Sequence, residues 1–495
     1  MSQVSRRIAI AGAGISGLST AYYIQRFCME KGISAEITIF EPNEQLGGKI
    51  RTLHRDGCVI EQGPDSFLAR KLPMLELARE LGLEDELTAT NPLAKKTYIL
   101  HKRKLHSMPE GLMLGIPTQV MPFLRTGLIS PLGKARAALD LVLPKRSGKG
   151  DEALGVFLSR RLGNEVLEHI AEPLLAGIYA GDTKELSLQS TFPQFQALEQ
   201  EHRSIILGMI FNKKKLRSLN VKSVPSVTTG PKEQGGQIPL SKLASRSMFL
   251  TFKQGLSTLV NSLATKLSEA AIRTGIAVTE VSRNDKGHYN LKLSDGTVEQ
   301  FDAVVLAVPN YAAVAMLPEL AEEHSLVNIP YVSVANVVMA FHKSDLALSK
   351  DGSGFLVPRS EDLTITACTW TSVKWLHTAP DDLVLVRCYI GRAGASESVD
   401  SSDVQLTNNV RTDLKNTMGI DAEPVFVEVT RWKNSMPQYP VGHLDQLKQF
   451  RSKLAEVMPG VYVTGSGYQG VGLPDCIGQA KQCAEQVAID LMSRR

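Results

Sequence analysis

The sequence predicts an α/β fold in which a Rossmann-like domain is interrupted by a mainly helical domain and a mixed α+β domain. A strand, a glycine-rich turn, a helix and a second strand follow one another over residues 7–41. A third apolar run of strand character covers residues 302–309, and a strand, a glycine turn and a helix cover residues 460–491. Strands that alternate with helices are typical of a parallel sheet. We therefore expect segments from both ends of the chain to share one domain.

Length and composition are those of a multidomain globular protein. The chain has 495 residues, of which 43% are hydrophobic and 21% are charged. At roughly 150 residues per domain, this length predicts two or three domains. The composition excludes a collagenous, coiled-coil or mostly disordered chain. The formal net charge of +4 is small for a chain of this size and does not indicate a nucleic-acid partner.

Cysteine usage and hydropathy indicate a reducing compartment. The six cysteines are widely scattered and contain no Cys-x-x-Cys pair: Cys28, Cys58, Cys368, Cys388, Cys476 and Cys483. This pattern favours thiols over disulfides or a zinc site. The first apolar stretch, residues 8–13, is too short for a signal-peptide core, and no run reaches the ~18 apolar residues that span a bilayer. We expect a cytoplasmic protein without a transmembrane segment.

The first βαβ unit has the spacing of a dinucleotide-binding motif. An apolar strand at residues 7–11 is followed by Gly12-Ala13-Gly14-Ile15-Ser16-Gly17, and a helix is predicted over residues 18–31. The next strand, residues 36–40, ends at the acidic residue Glu41. A G-x-G-x-x-G motif in this order is far more specific than the motif alone. The unit predicts a bound dinucleotide but does not separate NAD from FAD.

Each glycine has a physical role in that interpretation. Gly12 permits the tight turn, Gly14 lets the backbone approach a pyrophosphate, and Gly17 allows the helix to pack closely on the strand. The helix N-terminus supplies N–H donors and positive potential for the phosphates. The Glu41 carboxylate can accept hydrogen bonds from a ribose diol. The alternative is a glycine-rich turn that binds no ligand.

The segment after Glu41 distinguishes FAD from NAD as the expected dinucleotide. Leu46-Gly47-Gly48-Lys49-Ile50-Arg51-Thr52 and Glu61-Gln62-Gly63-Pro64-Asp65-Ser66 resemble the flavin-containing amine oxidase superfamily. The resemblance implies an FAD-binding domain of the amine oxidase/p-hydroxybenzoate hydroxylase type, with Lys49 neutralising an FAD phosphate. Many members carry Arg where this chain has Lys49, and lysine acts as a point charge without the bidentate fork. The alternative for Lys49 is a solvated surface charge.

The C-terminal segment predicts a second anion-binding helix N-terminus. A strand at residues 460–465 runs into the glycine-rich residues 467–475, and a helical apolar pattern follows to residue 491. The resemblance implies that this turn meets the isoalloxazine near N1 and O2, where negative charge grows on reduction. One FAD held between residues 12–66 and 465–478 would explain why both ends share a domain.

The resemblance implies contacts to FAD along the whole chain. The backbone of Val281 is expected to reach the adenine while its side chain packs in the core, and Trp432 is expected to pack along the flavin or in a core. The full predicted set is Gly12, Ala13, Gly14, Ile15, Ser16, Gly17, Glu41, Gly48, Lys49, Gly63, Pro64, Asp65, Ser66, Val281, Trp432, Gly465, Val471, Gly472 and Leu473.

Three domains follow from these segments. Residues 1–80, 250–310 and 456–495 are predicted to form the FAD-binding domain. Residues 81–249 are predicted to form a mainly helical domain that faces a membrane or partner and contributes to the substrate site. Residues 311–455 are predicted to form an α+β substrate-binding domain, because ligands bind in crevices between domains. The polar stretch at residues 223–247 predicts a mobile loop.

A narrower resemblance covers essentially the whole chain. The porphyrinogen oxidase family of the same superfamily is matched in residues 61–68, 172–182, 190–193, 366–370, 430–439 and 465–475. Within it the chain is most similar to the soluble type of Gram-positive bacteria. That resemblance implies a place in haem biosynthesis and a preference for coproporphyrinogen III over protoporphyrinogen IX.

The implied reaction removes six electrons from a porphyrinogen in three steps, each a hydride transfer from a meso methylene to flavin. Dioxygen would then reoxidise the flavin and form hydrogen peroxide. Because aromatisation drives the reaction, the protein mainly orients the macrocycle, and no catalytic side chain or metal site is predicted. Arg70 or Lys71 could meet a substrate carboxylate, and Leu175 and Ile178 could wall the macrocycle. The alternatives are solvated loop charges for the first pair and a generic core for the second.

Other functions share some of these motifs. A flavin amine oxidase or a carotenoid-type desaturase would carry both end motifs, but Tyr468-Gln469 gives at most one wall of an aromatic cage. An interaction protein like the GDP-dissociation inhibitors would lack the intact glycine segments. The basic clusters at residues 102–104 and 213–217 could contact anionic lipid weakly or allow transfer of a substrate to a neighbouring haem-pathway enzyme. A solvated surface is the alternative for both clusters.

Overall fold

The computed structural model describes residues 5–113, 115–148, 150–211, 247–326, 329–346, 348–349 and 351–493. The chain divides into two compact units. The first comprises Met1–Thr90, Leu240–Pro330 and His443–Arg495, and the second comprises Asn91–Pro239 and Tyr331–Gly442. Within the described ranges, no helix is both long and apolar enough to cross a bilayer.

The first unit contains the following strands and helices. Its strands are β1 (Arg6–Ala11), β2 (Ala35–Glu41), β3 (Thr52–Arg55), β4 (Cys58–Glu61), β5 (Phe67–Leu68), β6 (Leu87–Ala89), β11 (Phe249–Phe252), β12 (Ala271–Thr274), β13 (Val278–Arg283), β14 (Tyr289–Leu293), β15 (Val298–Phe301), β16 (Ala303–Leu306) and β22 (Val461–Val463). Its helices are α1 (Ile15–Glu30), α2 (Leu72–Glu80), α10 (Ser257–Lys266), α11 (Asn310–Ala315), α14 (His443–Val457) and α15 (Leu473–Ser493).

A parallel sheet organises this unit. Its described strands run in the order β12, β2, β1, β16, β22, and every neighbouring pair is parallel. Ile8 and Ile10 of β1 join the core formed with α1, α2, α10 and α15, while Ala9 and Ala11 join the core on the other face. Both faces are covered, which explains why β1 is a continuous apolar run instead of an alternating one. The α/β fold class predicted from the sequence is confirmed.

The element boundaries correct the sequence predictions in two places. The helix predicted from residue 18 begins at Ile15, because Gly14 is its extended N-cap residue with φ −70° and ψ 178°. Apolar residues at helical spacing within residues 255–271 predict a single helix there, but α10 ends at Lys266, and residues 271–274 instead form the edge strand β12 beside β2. The Asp295-Gly296 pair predicts a hairpin turn, which the structure confirms between β14 and β15, with Gly296 at φ +85°.

The second unit contains a larger, mostly antiparallel sheet. Its strands are β7 (Lys96–His101), β8 (Lys104–Ser107), β9 (Leu112–Met113), β10 (Ile116–Pro117), β17 (Tyr331–His342), β18 (Gly352–Leu356), β19 (Ile365–Trp370), β20 (Leu383–Ile390) and β21 (Phe426–Pro437). Its helices are α3 (Val120–Arg125), α4 (Pro131–Ala138), α5 (Leu154–Leu162), α6 (Asn164–Val166), α7 (Glu172–Tyr179), α8 (Leu188–Thr191), α9 (Pro193–His202), α12 (Thr371–Lys374) and α13 (Asp403–Met418), with a π-helical turn at Leu167–Ala171.

The sheet order in the described residues is β21, β17, β20, β19, β18, β7, β8. Strands β7 and β8 come from the segment for which the sequence predicts mainly helices, and β7 pairs in parallel with β18, Tyr98 opposite Phe355. The hydrophobic periodicity of residues 96–107 does not indicate a strand partner that lies about 250 residues later in the sequence. The loop predicted over residues 223–247 lies, apart from Ser247, outside the described residues, as does the basic cluster at residues 213–217.

A buried ion pair holds the helical part of the second unit. Arg161 and Asp140 have fully buried side chains, and the Arg161 Nε donates to Asp140 Oδ1 at 2.6 Å. Asp140 Oδ2 also accepts a hydrogen bond from the Ser204 hydroxyl at 2.5 Å. Charges buried in this way are tolerated only when paired and hydrogen-bonded. These charges therefore belong to the framework of the unit.

Candidate nucleotide-binding site

The first glycine turn has the geometry that its spacing predicts. Gly12 has φ +99°, and a Cβ there would lie 2.9 Å from the carbonyl oxygen of Ala307. A Cβ on Gly17 would lie 1.8 Å from the carbonyl oxygen of Gly12. Only glycine fits at these two positions, because the turn is tight and α1 packs directly on the end of β1.

Gly14 is a different kind of glycine. Its backbone conformation is open to any residue, and a Cβ there would meet nothing nearer than the Gly48 Cα at 3.9 Å. The Gly47 N–H donates to the Ala13 carbonyl at 2.9 Å and brings Gly48 against Gly14. Gly14, Gly47 and Gly48 thus bring two backbone segments together without a side chain between them, an arrangement here called the glycine cradle. Protein packing does not require glycine at position 14, whereas the close approach of a pyrophosphate would.

Glu41 is fixed at the end of β2. The residue is 4% exposed, and its Oε2 accepts the backbone N–H of Ala13 at 2.8 Å. Its Oε1 accepts the backbone N–H and the side-chain amide of Asn43 at 3.1 Å and 2.6 Å. Each carboxylate oxygen has two lone pairs, so Oε2 of Glu41 keeps one acceptor position for a ribose hydroxyl group. The predicted ribose acid is therefore positioned by the same turn that forms the cradle.

Lys49 follows the cradle and is half-buried. Burial lowers the pKa of its ammonium to about 8, and the charge of Cys476 acts in the opposite direction. Burial also raises the pKa of the Cys476 thiol to about 11, against a hydrogen bond with Ser16 and the charge of Lys49. Lys49 is thus not a solvated surface charge. Ser16, Lys49 and Cys476 come from three separate segments and meet at one place.

The C-terminal turn completes the same region. Gly465 has φ +117°, and a Cβ there would lie 3.2 Å from the Ser16 hydroxyl. The neighbouring Thr464 is 1% exposed, and its hydroxyl has no hydrogen-bond partner among the described residues. A buried hydroxyl without a partner is rare and is typical of a site that binds a ligand or water. The cradle and the Thr464 hydroxyl both fit a dinucleotide cofactor such as FAD.

The terminal helix α15 starts beside this turn. The N–H groups of Asp475 and Cys476 donate to the Gly472 carbonyl at 2.9 Å and 3.0 Å. Val471, Gly472 and Leu473 therefore lead directly into a helix N-terminus, whose first N–H groups and positive potential suit an anion. The helix start predicted at this turn is confirmed, and binding of an anion there stays a prediction.

In the first unit, the residues expected to contact the flavin or the substrate differ in their exposure and in their side-chain partners. Gly63, Pro64, Asp65 and Ser66 lie half-buried between β4 and β5, and Asp65 Oδ1 accepts the Ser66 hydroxyl at 2.6 Å. Arg70 is exposed. The ammonium of Lys71 contacts the Asp475 carboxylate at 2.5 Å, a partner that the sequence did not indicate.

The backbone N–H of Val281 already forms a hydrogen bond within the protein. Its N–H donates to the Met316 carbonyl at 2.8 Å, and its side chain is fully buried. The expectation that the side chain packs in the core is confirmed. An adenine contact through this N–H would require the bond to Met316 to break.

Thr52 and Glu61 have a structural role that the sequence motifs do not indicate. The Thr52 hydroxyl donates to Glu61 Oε2 at 3.0 Å, and Glu61 Oε1 accepts the Leu256 N–H at 2.6 Å. Thr52 Oγ1 also accepts the N–H of Ser257, the first residue of α10. The hairpin after the cradle is thus tied to a helix about 200 residues later. The sequence signal for this contact is a polar pair, Thr52 and Glu61, which face each other at the open end of the β3–β4 hairpin.

The remaining predicted contacts lie in the second unit. Trp432 is half-buried on β21, opposite Val334 of β17. On α7, Leu175 is 1% exposed while Ile178 is 40% exposed. Ile178 is therefore accessible to a ligand and Leu175 packs within the protein. Their contacts with cofactor or substrate stay predictions.

The chain is similar to known proteins over its whole length. The pattern of the flavin containing amine oxidoreductases matches residues 15–488. A coproporphyrinogen III oxidase of Bacillus subtilis (strain 168) is 43% identical over 493 residues, which is 100% of both chains. A coproporphyrinogen III oxidase of Staphylococcus aureus (strain NCTC 8325 / PS 47) is 39% identical over 99% of this chain and 100% of its own. The chloroplastic protoporphyrinogen oxidase of Nicotiana tabacum is 30% identical over 97% of this chain and 84% of its own.

Solved structures give the same result for the fold. A crystal structure from Exiguobacterium sp. 255-15, provisionally described as a protoporphyrinogen oxidase, has a TM-score of 0.83 and 35% identity, and the match covers 99% of this chain and 100% of the other. Cyclohexylamine oxidase from Brevibacterium oxydans IH-35A has a TM-score of 0.68 at 16% identity over 99% and 100% of the two chains. The second likeness concerns the fold alone.

Replacing Gly14 by alanine separates a ligand-binding glycine from a packing glycine. Because the added Cβ meets no close atom, we expect the free energy of unfolding of the FAD-free protein to change by less than about 0.5 kcal/mol. The Cβ would occupy the cradle, so the Kd for FAD should rise at least about tenfold, or about 1.4 kcal/mol, in a flavin fluorescence titration. Gly17→Ala is the control and should destabilise the FAD-free protein itself. Unchanged FAD affinity in Gly14→Ala would contradict this assignment.

Lys49 predicts proton uptake on FAD binding. In the free chain burial lowers the Lys49 pKa to about 8, and a phosphate beside it would raise that pKa again. Between about pH 8 and the ordinary lysine range, the free chain has lost a proton that the bound chain keeps, so affinity should fall as pH rises.

Calorimetry near pH 9 in two buffers of different ionisation enthalpy measures this uptake. Lys49→Arg is the control, because arginine stays protonated throughout and should bind FAD without taking up a proton. Equal uptake by both proteins would show that another group is responsible.

Proposed function

The chain belongs to the flavin containing amine oxidoreductase family, and on that premise we propose that it oxidises coproporphyrinogen III to coproporphyrin III. It is an FAD-dependent oxidoreductase. The observation that carries the choice of substrate is similarity from end to end, at 43% and 39% identity, to enzymes named for that reaction. The tobacco relative named for protoporphyrinogen is less similar, at 30% identity. We expect protoporphyrinogen IX to be a poorer substrate.

The proposed reaction depends more on orientation of the substrate than on a catalytic side chain. Bound FAD accepts electrons two at a time from a substrate and passes them to dioxygen, which becomes hydrogen peroxide. Conversion of a porphyrinogen to a porphyrin requires three such rounds and is driven by aromatisation. The protein must hold a large flat substrate in place and exclude water and other acceptors. We therefore assign no residue as nucleophile or general base.

The first unit supplies the groups proposed to hold the cofactor. The glycine cradle and the first N–H groups of α1 would bind the pyrophosphate, with the Lys49 ammonium beside it. The Glu41 carboxylate would accept a hydrogen bond from a ribose hydroxyl through Oε2. The N-terminus of α15 would place N–H donors where negative charge grows on reduction. Residues 1–80, 250–310 and 456–495 are proposed to form the FAD-binding domain.

The second unit supplies the groups proposed to hold the macrocycle. Ile178 is the most accessible of them, at 40% exposure, and would present an apolar wall. Leu175 lies within the protein and would support that wall. Trp432, half-buried on β21, is proposed to pack along the flavin. The exposed Arg70 of the first unit remains a candidate for a substrate carboxylate.

We further propose weak contact with anionic lipid through residues 120–142 of the second unit. Exposed apolar side chains are concentrated there: Val120, Met121, Leu124, Leu132, Leu139, Leu141 and Val142 are between 39% and 83% exposed. The same stretch contains Arg125, Lys134 and Arg136. Apolar side chains among basic ones favour an anionic membrane surface.

Location and partners complete the proposal. We propose a cytoplasmic location, since the cysteines are free thiols in the described structure. Transfer of the porphyrin product to a neighbouring enzyme of haem biosynthesis is also proposed, with no residues assigned to it.

The substrate is tested with the purified flavoprotein under anaerobic conditions. Coproporphyrinogen III should bleach the flavin absorbance, whereas benzylamine and phytoene should leave it unchanged. In air, coproporphyrin fluorescence and a peroxidase-coupled assay should give about three hydrogen peroxide molecules per porphyrin. Protoporphyrinogen IX should react at least several-fold more slowly.

Two outcomes would contradict the proposal in different ways. Rapid bleaching by an amine, with no response to porphyrinogens, would make the protein an amine oxidase. A colourless protein that cannot be reconstituted with FAD would instead favour a non-catalytic interaction protein.

Lipid contact is tested by sedimentation with vesicles. Wild-type protein should bind phosphatidylglycerol vesicles at low salt and bind phosphatidylcholine vesicles poorly. Leu132→Ser combined with Val142→Ser should lower the bound fraction at least about twofold, since both side chains are more than 60% exposed. Met29→Ser, which changes an equally exposed side chain of the first unit, is the control. Equal sedimentation with both lipids would contradict the proposal.

A further inference from the structure

Lys71 and Asp475 form a two-point contact between distant parts of the chain. The Lys71 Nζ lies 2.6 Å from Oδ1 and 2.5 Å from Oδ2 of Asp475, 404 positions away in sequence. Lys71 is the N-cap residue of α2, and Asp475 lies in the first turn of α15. Both side chains are about one third exposed. The ammonium charge is therefore already matched by a carboxylate of the protein.

The Asp475 side chain also lies against the terminal glycine turn. A Cβ on Gly470 would lie 2.7 Å from the Asp475 Cβ, and a Cβ on Gly472 would lie 2.8 Å from its Oδ2. Gly470 has φ +71°, so glycine is favoured there on conformational grounds as well. The turn is thus packed directly on a carboxylate that Lys71 holds. A displacement of that carboxylate would displace the turn.

Several charges near the turn act on one side chain, that of Cys476. The Cys476 thiol is affected by the charges of Lys49, Lys71 and Asp475 together. Asp475 in the first turn of α15 is favoured by the helix dipole even without Lys71. Without Lys71, however, its negative charge would face the turn uncompensated, close to the place where an anionic cofactor is expected.

We infer that Asp475 is a positioning residue whose ion pair with Lys71 fixes the glycine turn at residues 470–472 for flavin binding. Lys71 acts in this Lys71–Asp475 clamp and does not serve as the docking cation for a substrate carboxylate. The inference rests on the family's flavin and not on the porphyrinogen substrate, so failure of the substrate assay leaves it standing. It replaces the substrate-binding role that the sequence suggested for Lys71.

The holoprotein tests this through the rate at which FAD is lost. Lys71→Met and Asp475→Asn should each release FAD at least about tenfold faster after dilution, followed by the rise in flavin fluorescence. Each should also change the visible circular dichroism of the bound flavin, which reports its surroundings. The double variant should be no worse than either single one, because both remove the same pair. The charge swap Lys71→Asp with Asp475→Lys should recover part of the retention.

A second ion pair between the same two helices provides the control. Lys481 of α15 lies 3.2 Å from Glu76 of α2, with similar exposure, away from the glycine turn. Lys481→Met should leave FAD release and the flavin spectrum at wild-type values. The unfolding midpoint in urea should stay near wild type in every variant, since half-exposed pairs add little to global stability.

Three results would overturn the inference. FAD release and spectrum unchanged in both single variants would remove the positioning role of the clamp. If Lys71→Met raised only the KM for coproporphyrinogen III, and Asp475→Asn lowered it by freeing the lysine, Lys71 would be the docking cation after all. A loss of retention in Lys481→Met equal to that in Lys71→Met would mean that any link between the two helices suffices.

Discussion

Close approach of backbone to backbone, without side chains between, is the constraint on which the first unit depends. Gly17 lets α1 pack on the end of β1, which directs the N-terminus of the helix toward the glycine cradle. The Gly47 N–H bond to Ala13 then brings the next segment against Gly14. The Ala13 N–H in turn holds the Glu41 carboxylate. A few glycines and two hydrogen bonds thus position a helix dipole, an acid and the half-buried Lys49 around the candidate anion site.

The distribution of the site along the chain follows from the same sheet. Strand β16 pairs with β1 on one side and with β22 on the other, so residues near 10, 305 and 462 are neighbours. The long segments between them are then free to build a second unit with its own sheet. A reaction driven by aromatisation needs little more from the protein than cofactor retention and substrate orientation. This explains why glycines and backbone groups dominate the candidate site.

The sequence predicts those parts of the fold that are locally encoded. The strands at residues 35–41, 303–306 and 461–463 are apolar runs bounded by turn signals, and the motif spacing orders them in one sheet. Strand β12 is a short edge strand at the end of a helical pattern, so periodicity assigns it to the helix. Lys71 and Asp475 are 404 positions apart in the sequence, so no local sequence pattern predicts that they form an ion pair. The burial that lowers the Lys49 pKa likewise exists only once three segments meet.

The most direct measurement of the central claim is a crystal structure of the chain with FAD. The expected density places the two phosphates against the glycine cradle, within hydrogen-bond distance of the Lys49 Nζ and the first N–H groups of α1. The isoalloxazine should lie against the turn at residues 470–472, with Lys71 still bound to Asp475. A cradle filled by protein or water, with the cofactor bound elsewhere or absent, would contradict the account.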